Sequence, residues 1–181
     1  RQVASLLLAG EADIGIATEA LASYPQLVTL PCYRWTHSVV VPHGHPLLRH
    51  ERLELSHLAE HPIVTYDQGY TGRSHIDDAF AAAGLRPQVV IAAMDADVIK
   101  TYVELGLGIG IVASIAIDAE RDRGLVGIDA RHLFPLNLTR LALRRGSVLR
   151  GFGFAFIETF APSLSRDAVV RAFLDSAHED A

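Results

Sequence analysis

The residues best suited to chemistry lie in one short stretch, Thr65–Ser74, with the sequence TYDQGYTGRS. Two glycines, an arginine and the aliphatic hydroxyls of Thr65, Thr71 and Ser74 stand between an apolar run at Pro62–Val64 and a helical pattern over His75–Gly84. Glycines let backbone N–H groups converge, and a helix N-terminus adds partial positive charge. The stretch is therefore a candidate cradle for a small anion. The alternative is an ordinary strand-to-helix loop in which a Thr or Ser caps the helix.

A second candidate follows the apolar run Ala12–Ala17, which we interpret as a buried strand of the parallel type. Thr18 and Glu19 come directly after it, at the carboxyl end of the predicted strand. Ligands of open α/β sheets collect at that end. Thr18 fits equally well as the N-cap of a short turn over Glu19–Ser23, so both interpretations stay open.

Three other patterns carry less weight. Cys32 has no base or electropositive neighbour in the sequence, so we interpret it as a buried structural cysteine. His43 and His45 resemble a metal-binding pair, but without further ligands at suitable spacing a solvated turn is favoured. The glycines of 106–110 precede a strand, whereas a dinucleotide fingerprint follows a strand and opens a helix, so we reject that reading.

Composition narrows the class of protein. The 181 residues are 50% apolar and 20% charged, as in folded domains, and the formal net charge of −5 argues against nucleic-acid binding by this chain itself. A single cysteine rules out an intrachain disulfide and agrees with a cytoplasmic setting. The sequence has no apolar run long enough to span a membrane and no recognisable signal peptide. Because it opens without Met inside a helical pattern, we expect it to be part of a longer protein.

The predicted elements alternate between helices and strands. Asp95 is predicted to cap a helix that ends near Gly106, and Ser165 to cap the last helix. The predicted helices are Gln2–Ala9, Leu53–His61, His75–Gly84, the segment after Asp95, Ile115–Glu120, Gly153–Phe160 and Arg166–Ala177. The further predicted strands are Leu27–Trp35, His37–Pro42, Pro87–Ala92, Ile109–Ala113, Leu125–Asp129 and Thr139–Arg145.

The order of elements predicts two lobes. The break at Pro42–Pro46 is the expected crossing point, because its proline and glycine residues interrupt regular structure. We predict a first lobe from residues 1–43 and 138–181, with residues 44–137 inserted as a second α/β lobe. Such an arrangement is typical of a clamshell that closes on a small ligand.

Several segments, in order along nearly the whole chain, resemble the effector domain of LysR-type transcriptional regulators. Residues 11–21 resemble the family's pattern in its RD-I lobe, and other segments are similar to the CysB/Cbl-like branch, the regulators of sulfur assimilation. Those segments are IATEAL (16–21), LPCYRW (30–35), TGRS (71–74), DADVIKTY (95–102), LGLG (105–108) and FAP (160–162).

The resemblance implies a periplasmic-binding-protein-like (type 2) α/β effector domain in two lobes, RD-I (1–43 and 138–181) and RD-II (44–137), here lacking its first βα unit. It implies a cleft that binds sulfate, thiosulfate, adenylyl sulfate or an acetylserine-type inducer, a homo-oligomer (dimer or tetramer), and DNA contact only through an absent winged helix-turn-helix. No cofactor, catalytic residue or metal is expected. Thr18 and Thr71 match threonines that would donate to ligand oxygens. The predicted ligand-binding residues are Thr18, Glu19, Tyr66, Gln68, Gly69, Tyr70, Thr71, Gly72, Arg73 and Ser74.

The sequence departs from the branch at two places. Asp67 and Gln68 stand where the family commonly has Thr and Phe, and Met94 stands where the branch usually has Thr. A carboxylate facing a poorly solvated anion site is unfavourable. Either Asp67 therefore points to solvent, or the ligand carries a positive group, as an amino-acid-like inducer does.

Two other functions fit a clamshell. An enzyme would need an acid or base in the cleft, for which Asp67 and Glu19 are the visible candidates. A periplasmic solute-binding protein would deliver an anion to a transporter. The specific motifs favour the regulatory domain over both.

Overall fold

The computed structural model describes residues 2–178, apart from the side chains of residues 71 and 176–178. Numbered in chain order, the helices and strands are α1 (Gln2–Ala9), β1 (Gly15–Thr18), β2 (Leu27–Trp35), β3 (His37–Pro42), α2 (Leu55–Ala59), β4 (Pro62–Tyr66), α3 (Thr71–Ala82), β5 (Gln88–Ala93), α4 (Ala96–Glu104), β6 (Ile109–Ala113), β7 (Leu125–Asp129), β8 (Asn137–Arg144), α5 (Gly151–Phe160) and α6 (Arg166–His178). Short 3-10 turns occupy Glu19–Ser23, Pro46–Arg49 and Ser114–Ala116.

The chain forms two compact units. The first joins Arg1–Arg34 to Asn137–Ala181, and the second is the continuous segment Trp35–Leu136. The second unit is therefore inserted into the sequence of the first. The second unit begins at Trp35, the last residue of β2, and the chain passes from β2 to β3 through Thr36 alone. Two strands so close together show no change of composition that would mark a linker, whereas the Pro42–Pro46 break leads only into a 3-10 turn.

The first unit is built on a three-stranded sheet with the order β1–β8–β2. β1 and β8 are antiparallel, and Thr18 lies opposite Thr139. Side chains of β8 pack in two directions. Ala142 packs with Leu7 of α1, while Leu141 packs with Ile157 of α5.

The second unit is built on a five-stranded mixed sheet with the order β5–β4–β6–β3–β7. β4 is parallel to β5 and β6, while β3 is antiparallel to β6 and β7. Residues of β3 alternate between two apolar clusters, because successive side chains point to opposite faces of a strand. Val39 belongs to the cluster with Phe80 of α3, and Val40 to the cluster with Ile99 of α4.

Many predicted elements are confirmed. The observed bounds of β2, β3, β6 and β7 equal the predicted ones. The Asp95 carboxylate accepts a hydrogen bond from the Val98 N–H at 2.9 Å, which confirms it as the N-cap of α4. The Ser165 hydroxyl accepts from the Ala168 N–H at 3.3 Å, as expected for a cap of α6.

The prediction for β1 was wrong in extent and direction. The strand begins at Gly15, three residues after the predicted start at Ala12, and it pairs antiparallel with β8. α1 ends in a turn in which the N–H groups of Glu11 and Ala12 donate to the Leu6 carbonyl, and Gly10 has a φ of +75°. The N–H of Ala12, the predicted first residue of the strand, therefore belongs to the C-terminal cap of α1. An apolar run does not by itself distinguish parallel from antiparallel pairing.

Two further predictions need correction. The predicted helix Ile115–Glu120 is a 3-10 turn at Ser114–Ala116 followed by irregular backbone. Cys32 is only half-buried, and its thiol lies 3.6 Å from the Leu30 carbonyl. Burial raises the pKa of this thiol. A backbone hydrogen bond with Leu141 and the charge of Arg140 act to lower the pKa, but burial has the larger effect.

Candidate functional site

The predicted anion cradle is divided among a strand, a loop and a helix. β4 continues through Thr65 and Tyr66, and α3 begins at Thr71. The connection between them is therefore only Asp67–Tyr70, which we call the β4–α3 loop; all four of its residues are exposed. The first turn of α3 comprises residues 71–74 and includes the glycine, arginine and serine of the motif.

Backbone hydrogen bonds fix the β4–α3 loop as a tight turn. The Asp67 N–H donates to the Ala93 carbonyl at the end of β5, and the Tyr70 N–H donates back to Asp67. Tyr70 occupies the N-cap position of α3 in an extended conformation, without a side-chain capping bond. The alternative in which a Thr or Ser caps this helix is therefore not what the structure shows.

Two side chains of the stretch Thr65–Ser74 form hydrogen bonds with the backbone of the neighbouring strand β6. Thr65 is fully buried, and its hydroxyl donates to the Ile111 carbonyl of β6 at 2.9 Å. This hydroxyl was predicted to belong to the cradle, and it is instead used inside the fold because β4 extends farther than Val64. The Tyr66 hydroxyl accepts from the Ala113 N–H at 3.0 Å. Burial raises the Tyr66 pKa above its usual value, so this phenol stays protonated at neutral pH.

Arg73 is a buried cation, with 7% of its surface exposed. Its Nε donates to Oδ1 of Asp77 at 2.8 Å, and a guanidinium nitrogen donates to the Tyr66 carbonyl at 2.9 Å. These two bonds join the first turn of α3 to its second turn and to the end of β4. In the structure Arg73 thus ties the start of α3 to the end of β4, and its predicted contact with a ligand stays a prediction.

Gly72 lies against two aromatic rings. A Cβ added at this position would lie 3.2 Å from the Trp35 ring and 3.3 Å from Nε2 of His37. Such contacts are tighter than most Cβ atoms make, so a larger residue here would require the two rings to shift. Neither Trp35 nor His37 was among the predicted site residues, because sequence spacing does not reveal that the start of β3 lies beside α3.

The ligand-binding role predicted for the residues of this stretch stays a prediction. Gln68, Gly69, Tyr70 and Ser74 are exposed to solvent. The Thr71 backbone begins α3, but its side chain lies outside the described part of the structure. This turn is the part of the second unit in which a helix N-terminus and an exposed loop coincide with the motif.

Thr18 and Glu19 lie in the first unit, at the end of β1. Thr18 occupies the N-cap position of the Glu19–Ser23 turn, but its side chain makes no capping bond. The Glu19 carboxylate accepts from the Leu138 N–H at 3.3 Å, which ties it to β8. The capping function proposed as an alternative for Thr18 is therefore not observed. Its ligand-binding role stays a prediction.

The two histidines of the Pro42–Pro46 break both make hydrogen bonds to backbone groups. Nε2 of His43 lies 2.9 Å from the Arg123 carbonyl, and Nδ1 of His45 accepts from the Leu47 N–H. Among the described residues, no group of three or more His, Cys, Asp or Glu side chains is arranged to hold a metal ion. The helices within that part of the chain are also too short or too polar to cross a membrane.

The fold and the sequence together define the class of protein. Two α/β units, one inserted into the other, form the mixed fold of periplasmic-binding-protein-like (type 2) effector domains. The chain belongs to the LysR substrate binding domain family, whose model matches residues 1–180. It is an effector-binding domain of the LysR type, and this family of regulators is not enzymatic.

Its relatives place the chain in the SsuR, CysB and Cbl branch. It is 59% identical over 165 residues to the HTH-type transcriptional regulator SsuR of Burkholderia cenocepacia, covering 91% of the chain and 54% of the relative. It is 49% identical over 176 residues to CysB of the same organism, covering 97% and 56%. The solved cofactor-binding domain of the Cbl transcriptional regulator is 49% identical with a TM-score of 0.87, covering 94% of this chain and 75% of that one. The chain thus spans about half the length of its curated relatives.

Proposed function

We propose that this chain senses a small sulfur-related metabolite for a transcriptional regulator of sulfur or cysteine metabolism. One observation carries the proposal: the 59% identity to SsuR extends over 91% of the chain. The relatives are HTH-type regulators and are longer than this chain. DNA binding would accordingly reside in a winged helix-turn-helix outside these residues, and the whole protein would act in the cytoplasm as a homo-oligomer.

The proposed ligands are sulfate-like anions or an acetylserine-type inducer. In the second unit, the first turn of α3 would supply backbone N–H groups and the Thr71 hydroxyl, while exposed Gln68 and Ser74 would add polar contacts. An anion at this position is favoured by the helix dipole and by backbone donors. The bonds of Arg73 to Tyr66 and Asp77 support the proposal, because they hold this turn in place before a ligand arrives.

We also propose that two residues of the first unit, Thr18 and Glu19, contribute to ligand binding. The Glu19 carboxylate is fixed at the end of β1 by the Leu138 N–H. Thr18 is the last residue of β1, next to Glu19, and would donate its hydroxyl to a ligand oxygen. A carboxylate favours a ligand with a positive group, so Glu19 supports an acetylserine-type inducer more than a simple dianion.

We expect Thr71→Val and Thr18→Val each to weaken ligand binding at least tenfold. The loss of one hydrogen bond to a charged ligand corresponds to about 1.4 kcal/mol or more. Isothermal calorimetry with sulfate, thiosulfate and O-acetylserine measures the dissociation constants.

Matched controls are Thr101→Val in α4 and Thr159→Val in α5. Both hydroxyls are exposed and donate within their own helices, to the Asp97 and Ala155 carbonyls. These variants should bind as the unaltered chain does. An unchanged dissociation constant for Thr71→Val would remove Thr71 from the site, and a chain that binds none of the three compounds would contradict the proposed ligand class.

A further inference from the structure

His37 is a fully buried histidine at the start of β3. Its ring centre lies 5.3 Å from the ring centre of Trp35 and 5.3 Å from that of Phe134, in edge-on contacts with both. Phe134 in turn lies 6.4 Å from Phe80 of α3. A polar imidazole thus stands within a row of aromatic rings, where a phenylalanine would be the ordinary choice for packing alone.

The polar side of this imidazole faces the first turn of α3. Nε2 of His37 would lie only 3.3 Å from a Cβ at Gly72, so the ring and the turn are in direct contact. On its other side the turn is held by Arg73, whose guanidinium reaches the Tyr66 carbonyl. The turn is therefore in contact with the His37 ring of β3 and is hydrogen-bonded to the end of β4.

His37 is neutral at physiological pH. Burial and the neighbouring His75 lower its pKa to about 4, while a backbone hydrogen bond with Gly72 opposes that shift. A neutral imidazole puts no positive charge beneath the turn. Its effect on the turn would therefore come from contact with the backbone and not from attraction of an anion by charge.

We propose that His37 is a positioning residue for ligand recognition, acting through the backbone of Gly72 to fix the first turn of α3. Trp35 and Phe134 contact the ring, and the ring contacts Gly72. This contact fixes the start of α3, where the N–H groups of residues 71 and 72 precede those of Arg73 and Ser74 that already donate to the Tyr70 carbonyl. The inference rests on the proposed function for its consequence in binding. The mechanical link between His37 and the turn is independent of any ligand.

Two substitutions separate polar contact from packing. His37→Phe keeps an aromatic ring in the row but removes the polar contact with Gly72. His37→Gln keeps an amide that can interact with that backbone and sacrifices ring packing. If His37 only filled space, His37→Phe would be the milder change. A positioning role reverses this order.

Hydrogen–deuterium exchange of the ligand-free chain tests the mechanical link. We expect His37→Phe to accelerate exchange of the residue 72–74 amides at least fivefold, while His37→Gln changes it less than twofold. Amides of α4 should keep their rates in both variants. The control is His43→Gln, an exposed histidine whose ring contacts Arg123. Equal exchange in His37→Phe and the unaltered chain would overturn the proposal.

Calorimetry with sulfate, thiosulfate and O-acetylserine tests the consequence. We expect His37→Phe to weaken binding at least fivefold and His37→Gln to retain affinity within twofold. Weaker binding in His37→Gln than in His37→Phe would show a packing role and overturn the proposal. If the unaltered chain bound none of the compounds, the proposed function would fail, and the exchange rates would still decide whether His37 positions the turn.

Discussion

Asp67 is the residue whose side chain bears most directly on the choice of ligand. Its backbone is fixed, because the N–H donates to Ala93, but its carboxylate lies in the exposed β4–α3 loop. The neighbouring cation Arg73 is already paired with Asp77 at 2.8 Å. Because Arg73 is paired with Asp77, the charge of Asp67 repels any anion near the first turn of α3.

We expect Asp67→Thr to tighten binding of sulfate severalfold at low ionic strength and to have less effect on zwitterionic O-acetylserine. The gain should shrink toward 0.5 M salt, because exposed charges are screened. Calorimetry at two salt concentrations measures this difference. Asp78→Asn, an exposed carboxylate farther along α3, is the control for a general change of charge. Identical sulfate affinities for Asp67→Thr and the unaltered chain would show that this carboxylate is remote from the ligand.

At the scale of elements, one buried ammonium determines the conformation of a long connection. Nζ of Lys100 on α4 donates to the Ala116 carbonyl at 2.8 Å and contacts the carboxylates of Asp122 and Asp97 at 2.9 and 3.0 Å. Asp122 also accepts from the Asp118 N–H at 2.8 Å. These bonds fold residues 114–122 around the Lys100 side chain and compete with a regular helix there.

Asp122→Asn should lower the free energy of unfolding by about 1.5–3 kcal/mol at pH 7, the range for hydrogen bonds to charged groups. Burial alone would raise the Asp122 pKa, but the Asp118 N–H and the Lys100 ammonium reverse this and hold it below its usual value. A lowered folded-state pKa stabilises the fold above the unfolded pKa of about 4, and that contribution is lost as pH falls through the folded pKa.

Urea denaturation at pH 7 and below pH 4 measures this pH dependence. The difference between Asp122→Asn and the unaltered chain should diminish at the lower pH. Asp129→Asn serves as the control, because its pair with Arg131 is exposed and should contribute little. A difference that stayed constant with pH would contradict the assignment of the stabilising charge to Asp122.

These elements show what the sequence could and could not predict. Strands β2 and β3 were predicted to the residue, since their apolar and β-branched runs have clear ends. The segment after Ala113 has a helical pattern, but its conformation depends on Lys100, which lies on a different element. The same limit applies to the candidate site. The motif at 71–74 identified the turn, while its contacts with Trp35 and His37 depend on the position of β3.

At the scale of the whole molecule, each unit has its own core. In the second unit, both apolar clusters consist of residues within Trp35–Leu136. The two ends of this segment are close together, because His37 near its start contacts Phe134 near its end. Adjacent ends and a self-contained core are the features of an inserted domain that folds alone.

We therefore expect a fragment comprising residues 35–136 to unfold cooperatively, with circular dichroism and Trp35 fluorescence giving the same transition. Trp35 is the only tryptophan of the chain, so its emission reports this unit alone. A control fragment of residues 35–124 lacks β7 and Phe134 and should fail to show a cooperative transition. If the fragment of residues 35–136 also failed to show a cooperative transition, the second unit would need the first unit in order to fold.

The antiparallel pairing of β1 with β8 has a consequence for the order of folding. In the sequence, β1 precedes and β8 follows the inserted segment Trp35–Leu136, so their pairing closes a loop that contains all of it. If that segment folds first and brings its ends together, the effective loop shortens from roughly 120 residues to roughly 20, and the free-energy cost of closing it falls by about 1.5 kcal/mol. The first unit is thus expected to form last, after the inserted segment has folded and brought β1 and β8 closer along the chain.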